Sequence, residues 1–189
     1  MNKKLIMLGT LLAVVLTASA FSAPASAALT SWSGKGAVAQ WYITTTSSTG
    51  ALRTHYITAV VMMDNAGKDG WIYVSIIHRT NLISSAGGPV EFKWNMDHVS
   101  IEATLEFSGQ YSGDHVVLID WQTEGATSNG LQTIPTDYGM TTTVNGALKL
   151  GTAQMILDPT PIAGQYNHQD GYPSIWAAIV HGDITVNSP

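Results

Sequence analysis

No cysteine occurs among the 189 residues, and only 11% of them are charged. The first absence removes a disulfide framework, a lipid-attachment cysteine and thiol catalysis together. Without disulfides the fold must be held by its apolar core, which a chain of this length can supply. Lysine and arginine are scarce, 8 against 13 aspartates and glutamates, and they form no basic cluster. That balance argues against nucleic acid, whose binding rests on cations at phosphates, and against anionic membrane surfaces. No Gly-x-Ser-x-Gly nucleophile elbow is present, and no proline-rich linker, low-complexity tract or internal repeat divides the chain. Beyond residue 27 no window carries the 3.6-residue apolar stripe of a helix, so a single β domain is expected there.

The first thing that is present is an export signal. Lys3 and Lys4 precede an apolar run over residues 5–18, Pro24 blocks any continuing helix, and Ala25-Ser26-Ala27 offers small side chains to a signal peptidase. This predicts a signal peptide over residues 1–27, cut before Ala28, with Ala18-Ser19-Ala20 as a competing site. The apolar run is shorter than the ~20 residues that cross a bilayer, so no membrane span is expected after cleavage. Loss of Lys3 and Lys4 takes the formal net charge from −5 to −7. Residues 28–189 are thus expected to work as one secreted, extracellular domain.

Strand patterns fill that domain. From Val99 to Phe107 every odd position is apolar and every even one polar, the period-2 signature of a half-buried strand. A turn over residues 108–113 leads to an apolar run over 116–121, which completes a β-hairpin. Ile101, Leu105 and Leu118 are expected to face the core, although the second run is apolar on both faces and fixes no register. Residues 37–46, 52–63 and 71–77 read as further strands, the last a central one, with 174–186 as the closing strand. Asn145-Gly146 suits either a tight hairpin or a bulge in one long strand. Short strands with turns between them predict an all-β fold, an antiparallel β-sandwich of immunoglobulin-like or jelly-roll topology.

The central hairpin resembles a loose group of small exported bacterial proteins. The likeness lies in Asp97, the alternating strand from Val99 to Leu105, Asp120-Trp121 with Gly125, and Val144-Asn145-Gly146-Ala147-Leu148. It covers the second half of the chain and implies a fold, not an activity.

Candidate chemistry begins with histidine. Four of the six stand beside or near aspartate: Asp97-His98, Asp114-His115, His168-Gln169-Asp170 and His181-Gly182-Asp183. Imidazole with carboxylate suits a metal or an acid–base pair. However, His98 and His115 fall at opposite ends of the hairpin, roughly 25–30 Å apart, too far to share an ion. Polar residues at strand ends and in turns is the plainer reading, so no metal and no cofactor is assigned. Residues 64–70 look faintly like a calcium loop, but Ala66 and Lys68 stand where oxygen ligands are needed, so a hairpin turn is expected. Glu102 and Glu106 sit roughly 13 Å apart along one strand face, too wide for the carboxylate pair of a glycosidase.

Aromatic residues are the better lead, with six tryptophans and seven tyrosines. Rings on a sheet surface stack against sugars, while buried rings simply fill a core. Trp71 is assigned to the core. Trp32 and Trp94 are the tryptophans expected at the surface. Tyr166, His168, Asp170 and Tyr172 make a loop rich in hydrogen-bonding groups, and with the two tryptophans they form the expected ligand-binding set. The chain is read as an exported, non-enzymatic binding or surface-matrix protein, with extracellular polysaccharide or a cell-surface component as partner. A secreted carbohydrate-active enzyme is the first alternative. A fibre subunit assembling by strand addition is the second, since residues 71–77 carry a cross-β signature.

Overall fold

Alternation is visible at residues 99–107 because those side chains divide between solvent and a shared interior, and the same division organises most of the chain. The computed structural model describes residues 30–46, 49–63, 70–135, 141–158 and 171–187, so the expected signal peptide lies outside the described residues. Eleven strands form there: β1 (Thr30–Thr46), β2 (Leu52–Met63), β3 (Gly70–His78), β4 (Asn81–Val90), β5 (Phe92–Trp94), β6 (His98–Gly109), β7 (Gly113–Thr123), β8 (Ser128–Pro135), β9 (Thr141–Asp158), β10 (Tyr172–Pro173) and β11 (Trp176–Asn187). All pairings are antiparallel, as the sequence predicts.

Eight of these strands pair in a cycle. β1, β2, β3, β4, β6, β7, β9 and β11 each bond to the next, and β11 bonds back to β1. This is an up-and-down closed ring, and it departs from the Greek-key order of the expected immunoglobulin-like and jelly-roll topologies. The narrowest seam joins β4 to β6 through only Ser84↔Gly109 and Ser85↔Ser108. There Ser84 Oγ donates to the Ser108 carbonyl at 2.5 Å, and Gln110 N–H donates to the Ile83 carbonyl at 2.7 Å.

The ring's interior is filled. Trp41, Ile57, Ile72, Phe107, Trp121, Met155 and Ile179 are all buried and belong to one apolar cluster to which every strand of the ring contributes. On β6, Val99, Ile101, Leu105 and Phe107 point into it while Glu102, Thr104 and Glu106 are exposed. On β7 the inward set is Val117, Ile119 and Trp121, so Leu118 stands opposite Glu102 on the outer side instead of in the core. An apolar interior with carboxylates outside inverts the arrangement of a strand-built membrane pore. Among the described residues that interior is occupied by packed side chains, which directs binding chemistry to the ends or the outside.

A row of glycines runs across four adjacent strands: Gly34↔Gly182, Gly182↔Gly146 and Gly130↔Gly146. Gly34 and Gly182 have φ of 143° and 147°, and a Cβ on Gly146 would lie 2.3 Å from the His181 carbonyl oxygen. At Gly146 and Gly182 the neighbouring backbone leaves no room for a side chain, and the sheet creases along this line. The sign of the crease is the Trp32 ring, which lies against Gly36, four residues away on the same strand. In a straight strand that gap is roughly 13 Å, more than one indole spans. Beyond the crease Val144, Ile184 and Val186 join Val38, Val60, Leu148 and Val180 in a second apolar cluster outside the ring. Asn145-Gly146 therefore lies within the single long strand β9 and makes no tight hairpin.

Candidate functional site

At one end of the ring lie the turns that follow β1, β3 and β6. The first strand of this end, β2, begins Leu52-Arg53-Thr54-His55-Tyr56, and β3 ends in His78, with Arg79 next in the turn. Register places His55 directly opposite His78 and Tyr56 opposite Tyr42. Because side chains alternate across a strand, this short stretch splits into two faces. His55 turns inward with the core residues Ile57 and Ala59, and Thr54 and Tyr56 turn outward with Tyr42.

The inward face makes a buried imidazole cluster. His55 is 2% exposed, with the ring centroids of His78 at 5.3 Å and Tyr111 at 6.0 Å. Its Nε2 lies 3.1 Å from Tyr111 Oη, and its Nδ1 is buried without a hydrogen bond. Burial, then the neighbouring His78 and Arg53, push its pKa down to about 4, so the ring is neutral at pH 7. Beside it His115 stands edge-on to Phe107 and bonds the Tyr111 carbonyl at 3.2 Å.

Residues of both faces line an open cleft of about 660 Å³ at this end, whose walls include Tyr42, Thr54 and Tyr56 of the outward face, Arg53 and His78 of the inward one, and Arg79 of the turn. Tyr42 is 48% exposed. Its ring is braced against Tyr56 at 5.1 Å, and its Oη is 3.3 Å from Thr54 Oγ1. Hydrogen bonds from Thr54 and Thr44 lower the pKa of this phenol. His78 Nδ1 lies 2.7 Å from the Thr54 carbonyl. A carbonyl only accepts, so Nδ1 carries the proton, and Nε2 of the neutral ring is an acceptor. No carboxylate is among the described residues that line the cleft. Arg79 has φ of 57°, the only positive φ on a non-glycine residue among the described residues. It occupies a two-residue turn between the paired His78 and Asn81, where glycine is the unstrained choice.

The residues singled out from sequence lie elsewhere. Trp32 packs against the second apolar cluster. Trp94 closes the opposite end of the ring: its Nε1 donates to the Gly36 carbonyl at 3.3 Å, Lys35 Nζ sits 5.0 Å over its ring, and His181 stands edge-on at 5.9 Å. Tyr172 is buried, and its carbonyl accepts Trp41 Nε1 at 2.9 Å. Tyr166, His168 and Asp170 fall outside the described residues, as does most of the turn after β2. Trp71, assigned to the core, packs against the second cluster.

Asp97 and His98 pair elsewhere than with each other: His98 bonds Asp120 across the hairpin at 2.8 Å, and Asp97 pairs with Lys149. Among the described residues no group of three metal-ligating side chains comes together.

Sequence reasoning passed over Tyr42, Arg53, Tyr56, His78 and Arg79. A signal was there to be read. The chain has only two arginines, each followed by threonine and each one or two residues from a histidine: Arg53-Thr54-His55 and His78-Arg79-Thr80. No protein-family model, curated protein or solved structure matches this chain.

Proposed function

We propose that the protein is an exported, non-enzymatic binding protein that holds an extracellular carbohydrate in the cleft at the turn end of the ring. One observation carries this reading. Tyr42, a half-exposed ring braced by Tyr56 and Thr54, stands in one concavity with Arg53, His78 and Arg79, and no carboxylate is among the described residues that line it. An aromatic platform with flanking donors suits the apolar face and hydroxyls of a sugar. Hydrolysis of a glycosidic bond would call for an acid and a second carboxylate about 5–10 Å apart, and the described residues of the cleft supply neither. The export features read in residues 1–27 support binding outside the cell.

Assembly by strand addition is the second reading, and one observation favours it. Among the described residues β8 pairs with β9 alone, and it carries no charged residue, so its other edge lacks the lysine or glutamate that commonly protects an exposed strand. The segment with the cross-β signature is not that edge, because β3 is paired on both sides.

The test is retention on immobilised polysaccharides, with release of reducing sugar assayed alongside. The expected outcome is retention without release, weakened at least tenfold by Tyr42→Ala. Undiminished retention of Tyr42→Ala, with loss on Trp94→Ala, would move the site to the other end of the ring. Sugar release abolished by a single carboxylate substitution would replace the binding reading with the enzymatic one.

A further inference from the structure

We infer that the chain assembles with copies of itself, the outer edge of β8 in one copy pairing antiparallel with residues 30–34 of β1 in the next. The inference rests on the strand-addition reading, names the partner strand for it, and is independent of the cleft. Past the glycine row, β8, β9, β11 and β1 form a four-stranded flap in that order. Its two outer strands each have one neighbour there: β8 bonds β9, β1 bonds β11, and β2 joins β1 only from Lys35 onward. Among the described residues no further strand meets either edge. Both edges are open to solvent, with Leu131 75% exposed on one and Ser31 and Ser33 exposed on the other.

Three features fit these edges to each other. Direction is the first. Neighbouring strands of the flap alternate, so the first and last of the four run oppositely, and a copy in the same orientation meets its neighbour with an antiparallel junction. The glycine row is the second. It ends at Gly130 on one edge and at Gly34 on the other, both at positive φ. The crease runs on from copy to copy when Gly130 lies opposite the next copy's Gly34, a register that sets Gln132 against Trp32 and Thr133 against Ser31. Apolar surface is the third. Ile134 and Trp32 are partly buried against the second apolar cluster, one on each outer strand. The same register places the next copy's Trp32 diagonal to Ile134 on that face, close enough for an indole to bridge, so the clusters of successive copies join.

Neither edge carries a charge, so no like-charge pair opposes the junction in a chain of net charge −5. A closed pair of β8 strands would also align glycine with glycine. It would set Gln132 against Ser128, however, and bring no apolar side chain to the cluster face. Each added copy lengthens the sheet by four strands, about 19 Å at the usual spacing. Strand twist turns it by roughly 80–100° from its neighbour. The ring lies on one side of the flap, where the second cluster packs, so this rotation carries successive rings apart around the axis. The product is an open helical fibre of roughly four copies per turn.

The experiment follows the purified chain through a concentration series by sedimentation velocity and electron microscopy. Wild type should form an open-ended series of oligomers and then fibres with a subunit rise of about 19 Å. Two double variants test the register, each with a thermal melt. Thr133 and Ser31 are both exposed, so the melting temperatures should match that of the wild type. Thr133→Lys with Ser31→Lys sets like charges across the junction and should raise the concentration needed for assembly about fivefold. Thr133→Lys with Ser31→Glu sets opposite charges there and should return it to the wild-type value or below. A chain that stays monomeric throughout would overturn both this inference and the strand-addition reading. Assembly that stops at a dimer would overturn the inference and leave strand addition at β8 standing. Open assembly that responds alike to both double variants would overturn the pairing of these two edges. Retention on polysaccharides, measured separately, decides the cleft reading in every case.

Discussion

His55 is the residue whose energetics are most sharply set by its surroundings. Its pKa is depressed from an ordinary 6.5 to about 4, first by burial and then by His78 and Arg53. Between those values the unfolded chain binds a proton that the folded chain refuses, so stability falls as pH drops from 6.5 toward 4. The loss attributable to this one ring is at most ~3 kcal/mol. We expect His55→Gln to shrink the difference in unfolding free energy between pH 7 and pH 4.5 by ~2 kcal/mol, measured by urea melts at both values. An unchanged difference would mean that His55 is not the group responsible. None of this was legible beforehand, because His55 follows an arginine in a strand that looks unremarkable from its own residues. Its environment is made by His78 and Tyr111, 23 and 56 positions along the chain, and no local pattern announces such neighbours. The same holds for the cleft: composition reveals that arginine is rare, but only strand register brings Arg53 and Arg79 to one end of the ring.

Among the elements, the β6–β7 hairpin shows where sequence pattern suffices and where it stops. β6 was legible residue by residue, since Glu102 and Glu106 mark one face and Ile101 and Leu105 the other. β7 was legible as a strand and misread in its facing. Val116, Val117, Leu118 and Ile119 are all apolar, and only pairing with β6 shows that Val117 and Ile119 go inside. The strand can afford apolar residues outside because it is flanked on both edges, by β6 and β9. Leu105→Ala should therefore cost ~2–5 kcal/mol. Leu118→Ala should cost clearly less, and Glu102→Ala no more than ~0.5 kcal/mol. Denaturant melts of the three variants check that order, and a Leu118 cost matching that of Leu105 would contradict the register. Aromatic residues misled for a related reason. Trp32 and Trp94 sit in polar stretches, yet a creased sheet and a capped ring end give each of them a tertiary surface to cover.

For the whole molecule, the class of fold followed from composition and alternation, whereas its topology did not. Period-2 patterns count strands without saying which is neighbour to which, and closure depends on the pairing of β1 with β11 at the two ends of the described chain. Removal of residues 176–187 should therefore do more than trim an edge. It strips β1 and β9 of a partner at once, removes Ile179 from the core and opens the interior around Trp41. The truncated chain is expected to lack cooperative thermal unfolding, measured by near-ultraviolet circular dichroism. A cooperative melt within ~5 °C of the wild type would show that the ring survives without its last strand. The same pairing sets an order of events during synthesis. β2 can pair with β1 as soon as it emerges, whereas Thr30 waits for Val186. Until nearly all of the chain has emerged, the edge of β1 that faces away from β2 stays open to any other strand.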